Sequence, residues 1–576
     1  MKISSHNRRD FMKLGAFGTI GTMIAGCGAQ QDGKSAQPNI VLIMADDMGY
    51  SNIGCYGGDI ETPVLDKLAA GGVRFKQFYN TMRCCPTRAS LMTGLYQHQA
   101  GMGWMTYDSG VPGYEGDLNS NCVTIAEALR PAGYRTYMHG KWHLTTHYGH
   151  WIEDTEHTFK HNWPLQRGFD RFYGIIDGTS NFFQPFSLAR GNEPEPIDMD
   201  PDYYFTDAVS DHAVECIEDT PEGTPFFSYV AYTAPHFPLH AMPEDIAKYK
   251  GRFDKGWDAH REAKFKRMVD MGIIDPKWGL SERDERTGPL SEEEYPEYRI
   301  RAMEVYAAMV DRMDQGIGKI VDALERTGRL DNTIIMFMSD NGSQAGDLNT
   351  NQGSKRYTPL TARDGRPMHA GNIPDVMPGP EDTWQNIGTG WANHNDVPFR
   401  RFKGWSYEGG IASPMVVHWP AGISARGELR NQVGHVMDIM PTCCELAGAD
   451  YPETFGGNPI IPVEGISLVP AFADSAVERG PLFWEHVNHR AVRDGKWKIV
   501  DPKTKKWELY DMEADRCEYD DLAAEMPEKV AEMSGMYDEW ASRAGVLPWE
   551  DVSPHTAVAS KHIDDLTKIY REKQNK

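Results

Sequence analysis

The stretch Cys84-Cys85-Pro86-Thr87-Arg88-Ala89-Ser90-Leu91-Met92-Thr93-Gly94 is the densest chemical signal in the chain. Proline suits the first turn of a helix, and Ala89 to Met92 continues one. The spacing predicts Cys84 at a helix N-terminus, where exposed N–H groups and the helix dipole favour an anion. Arg88, one turn on, returns to the same face and would hold the group at residue 84 or an anionic ligand. With only the cysteine present, a buried structural thiol beside a surface arginine would be the simpler reading. Two acidic pairs change that balance. Asp46-Asp47 follows the apolar run Asn39 to Ala45, and Asp340-Asn341 follows Thr333 to Met338. Either pair alone could make a turn or cap a helix, the commoner uses of Asp and Asn.

Both runs have strand length and are continuously apolar, as expected of parallel strands buried on two faces. Tyr306, Val310, Met313, Ile317, Ile320 and Leu324 recur at four- and three-residue steps, which predicts a helix with one apolar face and a stop near Gly328. Alternating helices and buried strands imply an α/β fold with a large, mostly parallel central sheet flanked by helices. In such sheets ligands gather at the carboxyl ends of the strands, where both acidic pairs fall. Residues 241–300, dense in charge, read as solvated helices or excursions, and 342–398, rich in Gly, Asn, Pro and Asp, reads as a long functional loop. Strand-like runs Leu482–His486, Arg490–Arg493, Trp497–Val500 and Trp507–Tyr510, then a helical stretch near Pro527–Ala544, predict a smaller C-terminal antiparallel sheet with a covering helix. The expected organisation is residues 1–26 as a signal segment, 27–37 as a flexible tether, 38–474 as the catalytic domain and 475–576 as the C-terminal subdomain.

Composition sets the frame for these parts. The chain has 576 residues and a formal net charge of −24, a balance that repels polyanions, so no nucleic acid is expected as a partner. An anionic substrate would then need a strongly cationic pocket. Arg8-Arg9-Asp10-Phe11-Met12-Lys13 resembles a twin-arginine signal for the Tat export machinery. The apolar run Leu14 to Ile24 is short for a membrane span. Ile24-Ala25-Gly26-Cys27 resembles a lipobox, which would place a lipid anchor at Cys27. The expected location is periplasmic or cell-surface, as a membrane-anchored lipoprotein. The nine cysteines have no CxxC pair or dense spacing, so neither a zinc site nor a disulfide framework is implied.

The Cys84 stretch resembles the sulfatase signature, Cys-x-Pro-x-Arg followed by small residues and Thr-Gly. Further motifs follow in the family's order, and the resemblance, to bacterial arylsulfatases in particular, covers nearly all of residues 38–576. It implies an alkaline-phosphatase-like fold and hydrolysis of a sulfate monoester, on an aryl group or a carbohydrate. It also implies that a formylglycine-generating maturation enzyme oxidises Cys84 to formylglycine, whose hydrated aldehyde attacks sulfur. Asp46, Asp47, Asp340 and Asn341, with the oxidised Cys84, match the family's metal ligands. Three carboxylates and an amide oxygen suit a hard cation, Ca²⁺ before Mg²⁺. Gly140-Lys141-Trp142-His143 matches the segment in which Lys141 contacts sulfate and His143 takes a proton from the hydrated aldehyde. His236, in Ala234-Pro235-His236-Phe237-Pro238, would bond sulfate or the leaving oxygen. Lys403, in Arg401-Phe402-Lys403-Gly404, would neutralise sulfate and steady the leaving oxygen. Glu408-Gly409-Gly410-Ile411 also matches. Ala412-Ser413-Pro414 stands where many members carry Arg-Val-Pro, a departure that bears on packing or specificity. His139 reads as structural.

His240, Asn181, Arg400, His486 and His489 are expected on the substrate side, and Trp391 and Trp405 either stack on a ring or pack in the core. Two other functions fit parts of the pattern. A phosphodiesterase or phosphonate monoester hydrolase of the same fold would need further Asp and His metal ligands, which the sequence does not place. A glycan-binding lipoprotein with a vestigial site sits poorly with the intact residue set.

Overall fold

The computed structural model describes residues 37–146, 160–348 and 358–574. The expected signal segment and Cys27 lie outside these. Ten strands form the main sheet: β1 (Asn39–Ala45), β2 (Val73–Tyr79), β3 (Arg135–Gly140), β4 (Arg171–Ile175), β5 (Leu188–Arg190), β6 (Glu193–Pro194), β7 (Phe226–Ala231), β8 (Thr333–Ser339), β9 (Ala412–His418) and β10 (Glu428–His435). Their order is β10-β2-β9-β8-β1-β7-β3-β4-β5-β6. The central run β8-β1-β7-β3-β4 is parallel throughout. β9 enters antiparallel between β8 and β2, and β5 runs antiparallel to β4.

β1 shows why an unbroken apolar run belongs here. Val41, Ile43 and Ala45 face one apolar core, while Ile40, Leu42 and Met44 face the other. Side chains alternate across a strand, so a sheet covered on both faces needs apolar residues at every position. The long helix Pro296–Arg326 covers one face and buries Tyr306, Val310, Met313, Ile317, Ile320 and Leu324 as their spacing predicts. It starts ten residues before Tyr306, with proline in its first turn. Gly328, at φ +67°, takes the left-handed conformation just past its end.

The four C-terminal strands are β11 (Leu482–His486), β12 (His489–Asp494), β13 (Trp497–Pro502) and β14 (Glu508–Asp511), paired antiparallel in sequence order. The helix Pro527–Ala544 covers this sheet, with Trp540 stacked on Phe483 at 5.1 Å. A further helix, Trp549–Gln574, carries Pro554 within it and was not evident in the sequence. No helix among the described residues is long and apolar enough to cross a membrane.

Buried charge ties the small sheet to the large one. Glu408 accepts from Tyr79 Oη at 2.9 Å, Lys498 Nζ at 2.9 Å and Arg516 Nε at 2.8 Å, all out of solvent. Glu518 pairs with Lys498 at 2.7 Å. Each charge is compensated, the condition under which buried ions are tolerated. Glu408 opens the short helix Glu408–Ile411 that leads into β9.

Two expectations about loops need correction. Residues 241–300 hold the helices Pro243–Tyr249 and Gly256–Asp270, and the second is not simply solvated: Trp257, Arg261 and Lys264 are buried, with Lys264 Nζ donating to the His394 carbonyl at 3.1 Å. The segment 342–398 is not structureless either, since it contains the buried helix Thr389–Asn395. Its abundant amides replace ladder bonds: Asn372 Nδ2 reaches the Asn386 carbonyl, and Asn386 Nδ2 the Gly346 carbonyl.

Candidate active site

Four of the chemical motifs leave the carboxyl ends of four adjacent parallel strands. Asp340-Asn341 follows β8, Asp46-Asp47 follows β1, His236 lies just beyond β7, and Lys141 and His143 follow β3. Backbone pairing continues past the strand ends. Asp340 N donates to the Ala45 carbonyl at 3.1 Å, Asp46 N to Ala234 at 3.1 Å and Lys141 N to Ala231 at 2.8 Å. The side chains are thereby held by the sheet itself. Lys403 arrives from the other direction, ahead of antiparallel β9, whose amino end shares this edge.

Cys84 begins the helix α1 (Cys84–Thr93), with Arg83 extended before it at φ −149° and ψ 147°. All ten residues of α1 are buried. The Arg88 guanidinium spends itself on Asp340 Oδ2, at 2.8 Å from Nη2 and 3.2 Å from Nε, and on the Lys141 carbonyl at 3.2 Å. It therefore orients Asp340 directly. Lys141 Nζ donates to Asp46 Oδ2 at 2.6 Å, Lys403 Nζ donates to Asp47 Oδ1, and Asn341 Nδ2 donates to Asp47 Oδ1 at 2.7 Å. His236 Nε2 stands 3.4 Å from Asp47 Oδ2, while its Nδ1 donates to the Phe237 carbonyl at 2.6 Å.

Three carboxylates thus face three buried cations, yet the accounting leaves oxygens over. Asp46 Oδ1, Asp47 Oδ2 and Asn341 Oδ1 are buried without hydrogen-bond partners. Orphaned buried oxygens are costly and call for a ligand. Burial, then the neighbouring Asp340, push the Asp46 carboxyl well up despite Lys141 and Arg88. Burial would also raise Asp47, but His236 and Lys403 outweigh it and hold that carboxyl down. A divalent cation would satisfy all three oxygens and leave the centre net positive. The all-oxygen donor set suits a hard ion, so the residues present fit Ca²⁺.

The thiol of Cys84 is held well below its ordinary value, first by a hydrogen bond from the Cys85 thiol, with Lys141, Lys403 and His143 adding to it against burial. Its sulfur groups with Cys85 and His143, the three ligand atoms all lying within 4.8 Å of one another. Asp47 (φ 61°), Met82 (φ 62°), His143 (φ 54°) and Arg401 (φ 66°) all take the left-handed conformation. Each such residue costs about 1 kcal/mol or more, and such strain persists where surrounding structure imposes it, as around functional centres.

A Cβ at Gly178 would stand 2.4 Å from His143 Cε1 and 2.5 Å from Nε2. Glycine is required there so that the backbone can approach the imidazole this closely. Gly178→Ala is expected to displace the ring and lower kcat by about 10–100-fold, with circular dichroism and Tm near wild type. A folded variant with wild-type kcat would remove His143 from the reaction.

Several expected substrate-side residues are instead structural. His240 is fully buried, with Nε2 on the Thr383 carbonyl at 2.7 Å and Nδ1 accepting from Phe182 N. Asn181 donates to the Glu381 carbonyl and accepts from Phe183 N and Gln184 N. Arg400 bonds the Glu518 carbonyl and lies over Tyr407. Trp391 is a core residue whose Nε1 donates to the Arg299 carbonyl at 2.7 Å. Polar residues in loops carry no mark that separates a backbone tie from a ligand contact. His139 is structural as expected, bonded to His212 at 2.7 Å and Ser228 at 3.0 Å. All eight cysteines among the described residues are unpaired.

A mostly parallel sheet with an oxygen-rich, cationic centre at its carboxyl edge is the alkaline-phosphatase-like arrangement. Residues 38–449 match the family model described as Sulfatase, and residues 400–537 match that for the C-terminal region of N-sulphoglucosamine sulphohydrolase. The chain belongs to the sulfatase family. It is 33% identical to an arylsulfatase of Klebsiella aerogenes over 77% of this chain and 93% of that protein. It is 32% identical to an uncharacterized sulfatase of Schizosaccharomyces pombe, over 81% and 86% of the two chains. The crystal structure of Ps i-CgsB in complex with a neocarrahexaose shares the fold, with a TM-score of 0.63, 24% identity and coverage of 92% of this chain and 99% of that one.

Proposed function

We propose that this sulfuric ester hydrolase cleaves a sulfate monoester with residue 84 as nucleophile, after conversion of Cys84 to formylglycine, beside a Ca²⁺ ion held by Asp46, Asp47, Asp340 and Asn341. The observation that carries the reading is the set of three orphaned oxygens on Asp46, Asp47 and Asn341, with Lys141 and Lys403 bonded to the two carboxylates. The Cys84 thiol stands for the residue before oxidation. When bound, the cation supplies Lewis-acid charge that lowers the cost of an oxyanion at residue 84.

The chain's own groups supply the rest. Lys141 and Lys403 take up the charge of the sulfate group as it transfers, a term that is often the largest in catalysis. Arg88 keeps Asp340 in place and neutralises it. His143 accepts the proton of the second hydroxyl on residue 84, so that the aldehyde C=O re-forms as the C–O bond to sulfate breaks and sulfate leaves; water then rehydrates the aldehyde. His236, with Nδ1–H on the Phe237 carbonyl, carries a second proton on Nε2 only as the imidazolium. Burial opposes that form, pulling the imidazole to about 3, while Asp47 favours it. An arriving sulfate adds a second anion and shifts the balance, so the imidazolium can protonate a poor leaving group such as a sugar alkoxide.

Comparing an aryl sulfate, a phosphate monoester and a phosphate diester on fully modified protein tests the reading. The sulfate is expected to turn over at least 100-fold faster in kcat/KM, and a strong phosphodiester preference would overturn it. Export by the Tat route and lipidation at Cys27 are part of the same proposal.

A further inference from the structure

We propose that Arg83 and the tip of the β11–β12 hairpin form a subsite for a second anionic group of the substrate, a carboxylate or another sulfate carried on the alcohol that leaves. The inference rests on the sulfate-ester reading above and deepens it.

Arg83 is the residue immediately before Cys84. Its half-buried guanidinium makes no hydrogen bond or ion pair with any described residue, and its Nε is fully buried without a partner. Nη1 lies 4.0 Å from where a Cβ on Gly404 would be, which places it beside Lys403. An arginine left unmatched next to another cation is unfavourable, and an anion between them would relieve it.

The hairpin brings more of the same chemistry to this spot. His486 and His489 flank its two-residue turn, and each is buried with Nδ1 unpartnered. Burial, then Arg83, hold the His486 imidazole well below its ordinary value. Lys503, which bears on both histidines, has no ion-pair partner among the described residues. The nearby Glu485 carboxylate is already engaged by His98 Nε2 and Asn488 N, each at 2.9 Å. Val487 (φ 55°) and Asn488 (φ 64°) form the turn, and a left-handed β-branched valine is a strained choice. Trp484 Nε1, donating to the Asn80 carbonyl at 2.7 Å, locks the hairpin against the strand end that precedes α1. Trp405 packs against His489 at 4.7 Å and offers an apolar ring beside the polar groups. In a chain with a net charge of −24, an unneutralised arginine one residue from the nucleophile, with Lys503 and two unpartnered imidazole nitrogens near it, marks a place for an anion.

The test compares kcat/KM of modified wild type, Arg83→Gln and His486→Gln on a neutral sugar monosulfate, a sugar disulfate and a sulfated uronate. Wild type is expected to prefer one doubly anionic substrate, and which one identifies the second group. Arg83→Gln is expected to shrink that preference by about 10–100-fold, the worth of a charge-assisted hydrogen bond. An equal loss on all three substrates, or no wild-type preference, overturns the subsite while leaving sulfate hydrolysis standing. Calorimetric binding of the desulfated products, which keep only the second anion, reads the subsite without turnover. Binding at least about tenfold weaker in Arg83→Gln supports the proposal, and unchanged binding sinks it even if no substrate is cleaved.

Discussion

Protein carrying an unmodified thiol at residue 84 is expected to release sulfate at least on the order of 10⁴-fold more slowly than protein modified there. The structure shows why the thiol is not simply a weaker version of the same nucleophile. Cys85, Lys141, Lys403 and His143 pull the Cys84 thiol well below its ordinary value, which favours the thiolate and its attack. A thiolate that takes the sulfuryl group has no second hydroxyl from which His143 could remove a proton, and the group would stay. Expression with and without a maturation enzyme, followed by peptide mass mapping and sulfate-release assays on both preparations, checks this. Unmodified protein should show at most one turnover per chain. Full steady-state activity from protein with a confirmed thiol at residue 84 would end the formylglycine assignment. Tat export, which carries folded proteins, would further require oxidation before α1 is buried, because every residue of that helix is out of solvent.

Asp47→Asn is expected to lower kcat/KM on the order of 10²–10³-fold and to abolish most of the calcium-dependent rise in Tm. Asp47 is the hub of the centre, meeting Lys403, Asn341 and His236 at once. The amide keeps its shape but removes the charge that draws both the cation and the His236 proton. For wild type, calcium at 100 times its Kd would add about 2.7 kcal/mol to stability. A variant whose Tm rises with calcium as much as wild type, with activity intact, would show that the orphaned oxygens hold no ion. Chelator-treated wild type should resemble the variant and recover on calcium addition, whereas the variant should not.

The chemistry was legible in the chain because it is written locally. An apolar run ending in Asp46-Asp47, another ending in Asp340-Asn341, and a proline two residues before Arg88 each encode an element or its end within about ten residues. The C-terminal strands and the Pro527–Ala544 helix were legible for the same reason, through their alternation and their proline and glycine boundaries. The roles of His240, Asn181, Arg400 and Trp391 were not, because a backbone carbonyl supplied from elsewhere in the chain consumes each side chain. Arg83 is the converse case: nothing around it in sequence distinguishes it, and its importance lies in partners it lacks.

The amino-acid order by itself determined the strands, the start of α1 and the residue types available for an oxygen-ligated cation and an anion. Only the tertiary structure decided that β8, β1, β7 and β3 are neighbours and that β9 runs backwards among them, delivering Lys403 to the same edge. The physical reason is range. Backbone periodicity and turn chemistry act over a few residues, whereas sheet order is set by how apolar faces hundreds of residues apart bury one another. Charge balance in the pocket, and the oxygens and guanidinium it leaves unmatched, exist only once those faces have met.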